Sequence, residues 1–256
     1  MHMRICFFGD SFVNGTGDPE CLGWAGRICA AARRCGRDLT YCNLGIRRDT
    51  AEDIAHRWQD EASARLPADA DGRIVFSFGV NDCIIEDGRP RAAPGATLAH
   101  AEAMVTDASR RRPTLFIGPP PIADDETNRR IAALSTGLET LSRGLAVPYL
   151  DLLSPLRTAE VWRREVAAGD GAHPGPRAML SWPISSAAGD PGKAGWSRRA
   201  NGRGFHRPAR YGDRTAPRRC ECGAGRRSPR DRQGCARRAR RDDSRGRKGA
   251  GGRPPH

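Results

Sequence analysis

Lysine is nearly missing from this chain: only Lys193 and Lys248 occur among 256 residues, and arginine carries the rest of the 43 basic side chains. Long apolar runs are missing too. No stretch approaches the roughly 18 consecutive apolar residues of a membrane-crossing helix, so no membrane span is expected. The start, Met1-His2-Met3-Arg4, leads straight into Ile5-Cys6-Phe7-Phe8, without the apolar stretch of about 7 to 15 residues that marks a secretory signal. A cytoplasmic protein is the expectation. Six of the nine cysteines, Cys6, Cys21, Cys29, Cys35, Cys42 and Cys83, lack the spacing of a disulfide-stapled scaffold, and reduced thiols follow. Cys220-x-Cys222, with Cys235 and His206 nearby, misses the C-x2–4-C spacing of zinc sites. Neither a metal nor a cofactor is implied.

The formal charge of +13 is unevenly spread. Residues 1–177 hold 22 arginines against 24 acids, a net −2, whereas residues 178–256 hold 21 basic side chains against 6 acids, a net +15. The first part has regular apolar segments and suits one domain with one core. Past residue 177 the large apolar residues thin out to Met179, Leu180, Trp182, Ile184, Trp196, Phe205 and Tyr211. Such a segment cannot offset the entropy of ordering itself, and a disordered basic tail over 178–256 is expected.

Within the first part, strand and helix patterns alternate. Ile5–Phe8 reads as a first strand, 22–34 as a helix, Leu39–Leu44 as a second strand. Thr50-Ala51-Glu52-Asp53 resembles a capping box, and Ala51, Ile54, Ala55, Trp58, Ala62 and Leu66 then share one helix face up to Pro67. Ile74–Phe78 predicts a buried third strand, 96–109 a helix, Leu115–Ile117 a fourth strand, 128–145 a long helix, Val147–Leu152 a fifth strand and 158–167 a last helix. Right-handed crossovers between such strands make a parallel five-stranded sheet covered on both faces, a three-layer α/β/α fold.

Chemistry gathers at the strand ends. Gly9-Asp10-Ser11-Phe12 places a hydroxyl after the first strand, Asn43-Leu44-Gly45 closes the second, and Gly79-Val80-Asn81-Asp82 follows the third. Asp170-Gly171-Ala172-His173 comes last. A serine hydroxyl is a poor nucleophile until a base takes its proton, which an imidazole can do near neutral pH. Asp170, three residues before His173, can accept the other ring proton and fix the tautomer. Asp10 and Asp82 read as loop hydrogen-bonders rather than catalysts. The segment is not the nucleophile elbow of α/β-hydrolases, because Gly9-Asp10-Ser11-Phe12-Val13 lacks the second glycine of G-x-S-x-G.

Together the four blocks resemble those of the SGNH, or GDSL-type, esterase and lipase family, over residues 4 to 176, with Phe12 where the family usually has leucine. The resemblance implies a flavodoxin-like sheet, a serine esterase acting through an acyl-enzyme, and Ser11, Asp170 and His173 as catalytic residues. It further implies an oxyanion hole from the backbone N–H groups of Ser11 and Gly45 and the side-chain amide of Asn81. The expected partner is a small ester, whose identity rests with loops around residues 14–22, 83–95 and 119–127.

In that family a closing amphipathic helix follows the histidine block. Here the pattern breaks off after Met179-Leu180-Ser181-Trp182-Pro183. An arginine-rich, lysine-free body points to a GC-rich gene, whose out-of-frame translation from near residue 177 would give such Arg, Gly and Pro tracts. The competing reading is a basic arm that binds RNA or DNA without sequence preference, beside a catalytically weak hydrolase-like domain.

Overall fold

A computed structural model describes residues 2–180, and its elements follow the apolar segments of the sequence. The first run becomes strand β1 (Met3–Gly9), which ends in a single helical turn, α1 (Ser11–Asn14). Helix α2 (Gly23–Arg34) leads to β2 (Leu39–Gly45), α3 (Ala51–Arg65) to β3 (Asp71–Ser77). A second single turn, α4 (Val80–Cys83), precedes a small hairpin of β4 (Ile85–Glu86) and β5 (Arg89–Pro90). Then come α5 (Pro94–Arg111), β6 (Thr114–Ile117), α6 (Asp125–Gly144), β7 (Tyr149–Leu150), α7 (Leu153–Thr158), α8 (Glu160–Ala168) and α9 (Pro176–Leu180).

The sheet is five-stranded with order β2-β1-β3-β6-β7, and its neighbouring strands are parallel. The order reverses at β1, since β2 lies on one side of it and all later strands on the other. Right-handed crossovers then send the first helix to one face and those after β2, β3 and β6 to the opposite face. Accordingly α3, α5 and α6 pack side by side, while α2 packs with α9 and α9 with α8. Gly9 pairs with both Gly45 and Ser77, so three strand ends open onto one crevice at the reversal point, where open α/β sheets bind ligands.

The capping box is formed: Thr50 Oγ1 accepts from Asp53 N–H while Asp53 accepts from the Thr50 N–H. Below it, of the expected face of α3, Ala51, Ile54, Trp58, Ala62 and Leu66 are buried and Ala55 is half-buried. Trp58 and Phe8 each lie against Phe76 with ring centroids 5.6 Å apart. Burying each such ring is worth about 2–3 kcal/mol.

Four departures from the sequence expectations concern short elements. Single turns α1 and α4 and the β4–β5 hairpin are too brief to show periodicity. The expected fifth strand shrinks to two residues. The expected helix at 158–167 becomes α8 with α7 before it, α7 starting where Asp151 Oδ1 accepts the Leu153 and Ser154 N–H groups. Helix α9 continues to Leu180 and buries Ala178 and Met179, past the expected boundary at residue 177. The remaining tail features, including the Cys220–Cys222 segment and the aromatic residues from Trp182 on, lie outside the described residues. Among the described residues, no helix is long and apolar enough to cross a membrane, and the six cysteines are unbridged.

Candidate active site

Ser11 opens the turn α1, set by Asp10, whose Oδ1 accepts the Phe12 N–H at 2.9 Å. The first N–H groups of a helix have no partner inside it, so the Ser11 N–H is left for whatever sits in front of the turn. Asp10 is 1% exposed, and its Oδ2 has no hydrogen-bond partner. Burial drives its pKa up to about 7 against the Phe12 hydrogen bond, and the nearby Asp82 carboxylate adds to the rise.

Across the crevice, Asp170 and His173 follow α8. The Asp170 carboxylate accepts the Ala172 N–H at 3.0 Å and the His173 N–H at 2.8 Å through Oδ1, and His173 Nδ1 at 2.6 Å through Oδ2. Partial burial pushes this carboxyl upward, but the hydrogen bonds outweigh it and hold its pKa at about 2. The other ring nitrogen, His173 Nε2, lies 2.7 Å from Ser11 Oγ. The structure therefore brings all three expected catalytic side chains into one hydrogen-bonded line.

The histidine turn is held from several sides. The Phe12 ring lies against the imidazole, centroids 5.1 Å apart. Gly17 in the 14–22 loop approaches so closely that a Cβ there would stand 2.8 Å from the Pro174 carbonyl and 3.2 Å from His173 Cβ. Ala123 N–H donates to the Gly171 carbonyl at 2.8 Å, bringing the 119–127 loop alongside. Glu165 of α8 accepts the Ala178 N–H at 2.9 Å, tying α9 to α8, the helices on either side of that turn. The guanidinium of Arg47 stands 3.9 Å from Asp170 Oδ2 at the solvent edge.

The expected oxyanion donors fare differently. Asn81, after β3, donates from Nδ2 to the Asp49 carbonyl at 2.9 Å, which leaves its second amide proton to serve another acceptor. Gly45 departs from the expectation. Its single N–H is engaged at 3.1 Å by Asn43 Oδ1, while Asn43 Nδ2 donates to the Val13 carbonyl at 2.8 Å. The need for glycine here is steric, because a Cβ would stand 2.2 Å from Asn14 N and 2.7 Å from the Asp10 carbonyl. Gly45 lets the serine turn rest directly on the end of β2.

Asp82 is 2% exposed and accepts the Ala51 N–H at 3.1 Å and the Thr97 hydroxyl at 2.9 Å, binding α4 to α3 and α5. Both Asp10 and Asp82 thus hold loops rather than face the crevice. Sequence reasoning passed over Arg57, Asp49 and Glu165, whose periodic signal is that of ordinary charged positions. Among the described residues, no group of three or more His, Cys, Asp or Glu is arranged to hold a metal.

A nucleophile, base and orienting carboxylate in one line, with unengaged N–H groups beside them, can transfer an acyl group. The sequence model of the GDSL-like lipase/acylhydrolase family matches residues 7–179. The uncharacterized protein YpmR of Bacillus subtilis (strain 168) is 26% identical over 83 residues, and the match spans 32% of this chain and 32% of that relative's length. Among solved structures, the lipase/acylhydrolase from Enterococcus faecalis superposes with a TM-score of 0.57 at 20% identity, over 73% of this chain and 95% of that one. The acetylxylan esterase Axe2 from Geobacillus stearothermophilus does so with 0.59 at 14% identity, over 77% and 96%. At these identities the likeness is one of fold.

Proposed function

Because the chain belongs to the GDSL-like lipase/acylhydrolase family, we propose that it hydrolyses carboxylic esters through Ser11, His173 and Asp170. The carrying observation is the 2.7 Å contact between Ser11 Oγ and His173 Nε2, continued by the 2.6 Å contact between His173 Nδ1 and Asp170. Ser11 Oγ attacks the ester carbonyl carbon as its proton passes to His173 Nε2. Asp170 keeps Nδ1 protonated and balances the imidazolium charge. The carbonyl oxygen becomes an oxyanion, received by the Ser11 N–H and the second amide proton of Asn81. Gly45 joins them only if Asn43 Oδ1 releases its N–H. Collapse breaks the bond to the alcohol, which leaves with the proton from His173. Water then attacks the acyl-Ser11 carbonyl, giving its proton to His173, and the carboxylic acid departs as Ser11 regains a proton.

The test is a chromogenic ester series assayed with the parent and with Ser11→Ala. Acetyl esters come first, because a fold neighbour is an acetylxylan esterase. The variant should lose at least about 10^3-fold in kcat, and the parent should show an acyl-enzyme burst. Equal rates without a burst would falsify the assignment. The basic tail, on which the nucleic-acid reading rests, lies outside the described residues beyond Leu180.

A further inference from the structure

Arg57 stands on the second turn of α3, half-buried, with a side chain 17% exposed. It faces the back of the strand ends that carry the candidate site. Its Nη2 donates to the Gly9 carbonyl at 3.1 Å and to the Leu44 carbonyl at 2.9 Å. Its Nε donates to Asp49 Oδ2 at 2.9 Å, and its Nη1 to Glu61 at 3.0 Å. Three of these acceptors lie outside α3, on β1, on β2 and in the loop after β2. The Gly9 carbonyl is two residues before Ser11, the Leu44 carbonyl adjoins Gly45, and Asp49 uses its own carbonyl to hold the Asn81 amide at 2.9 Å.

We infer that Arg57 is a positioning residue for the transition state: one guanidinium sets the mutual placement of the Ser11 turn, the end of β2 and Asn81. A planar fork with five donors in fixed directions can bind two carbonyls and two carboxylates at once, which an ammonium cannot. The carbonyls it meets lie at the ends of the paired strands β1 and β2, where the Gly9 carbonyl also accepts the Ile46 N–H at 3.1 Å, so the guanidinium adds a second donor to a carbonyl that has two lone pairs. Oxyanion donors act only when they are aimed before the charge develops. An error of about 1 Å in such placement can cost on the order of 10^2-fold in rate. Arg57 touches no reacting atom in this arrangement, so its effect is on kcat through the donors it aligns.

The proposal rests on the ester-hydrolase reading, so the parent is first treated with a fluorophosphonate. Absence of a Ser11 adduct would overturn that reading, and this one with it. Given an adduct, Arg57→Lys and Arg57→Ala are assayed on one ester, with an alkyl boronic acid as the tetrahedral mimic and the carboxylate product as ground-state ligand. Both variants should lose about 10- to 100-fold in kcat, with KM within about twofold. Boronate affinity should fall in step with kcat while product affinity holds. In Arg57→Ala, millimolar guanidinium ion should restore part of kcat, because it can refill the fork. If Arg57→Ala does not fold, Arg57→Lys decides, since it keeps the charge and the stem but not the fork. Parent-like kcat and boronate affinity in a folded Arg57→Lys would overturn the proposal. So would equal losses of boronate and product affinity, the mark of general loosening.

Discussion

The serine turn and the histidine turn meet at 2.7 Å, yet they are held in opposite ways. Ser11 grows out of the sheet, on a turn resting on glycine at the end of β2 and backed by the Arg57 clamp. Its neighbour Asp10 is sealed at 1% exposure with one oxygen unpartnered. Asp170, by contrast, has a side chain 47% exposed and hangs between α8 and α9, but it receives three hydrogen bonds. The aspartate beside Ser11 and the one bonded to His173 therefore move apart, one up to about 7 and the other down to about 2. Complete burial with a single hydrogen bond favours the neutral acid, and several hydrogen bonds at a half-exposed position favour the carboxylate. The first suits a structural cap, and the second suits a group that must stay charged while an imidazole gains a proton.

The sharpest way to break this contrast is Asp170→Asn. It removes the charge and can present an N–H to His173 Nδ1, so kcat should fall by about 10^2- to 10^4-fold with little change in KM. A loss under tenfold in steady-state kinetics would mean that the exposed carboxylate orients nothing.

Gly45→Ala strikes the other turn. The new methyl would meet backbone atoms of Asn14 and Asp10 that no rotamer change can move. A destabilisation of about 1–3 kcal/mol is expected in denaturant titration, together with a fall in kcat as the Ser11 turn is displaced. Parent-like stability and kcat together would show that the serine turn does not depend on that close approach.

The smallest expected effect concerns pH and stability. Asp10 binds its proton more tightly folded than unfolded, so its contribution is complete below its ordinary value of 3.8 and is lost as pH rises through about 7. Asp170 contributes in the reverse sense, fully above 3.8 and progressively less as pH falls toward 2. Asp10→Asn keeps the acceptor for Phe12 and removes the titration. Its melting temperature should drop less than the parent's between pH 5 and pH 8. Identical slopes for the two proteins would show that Asp10 does not titrate in this window.

Much of this was legible in the residues. The strand runs, the capping box at Thr50 and the buried face of α3 follow from local periodicity, which a linear pattern carries. The blocks around Ser11, Asn81 and His173 were readable because each sits at an element end with a distinctive residue type. The clamp was not readable. Arg57, Asp49 and Glu165 look like any charged residue on a helix or loop, since their partners are carbonyls and N–H groups that every residue possesses. At Gly45 the letter alone could not separate two needs, a close approach and an open N–H; here the close approach is present and the N–H contacts Asn43 Oδ1.

By itself the amino-acid order determined the alternation of strands and helices, the segments that end at the crevice, and the candidate residues proposed as nucleophile, base and carboxylate. Only the tertiary structure decided which donors stay open, because a hydrogen bond depends on which strand ends lie side by side. The reversal of strand order at β1 sets β2 and β3 against the two edges of β1. From that adjacency come the Asp49-held Asn81 and the arginine that meets the Gly9 and Leu44 carbonyls together, whereas the Gly45 N–H is engaged locally by Asn43 on its own strand.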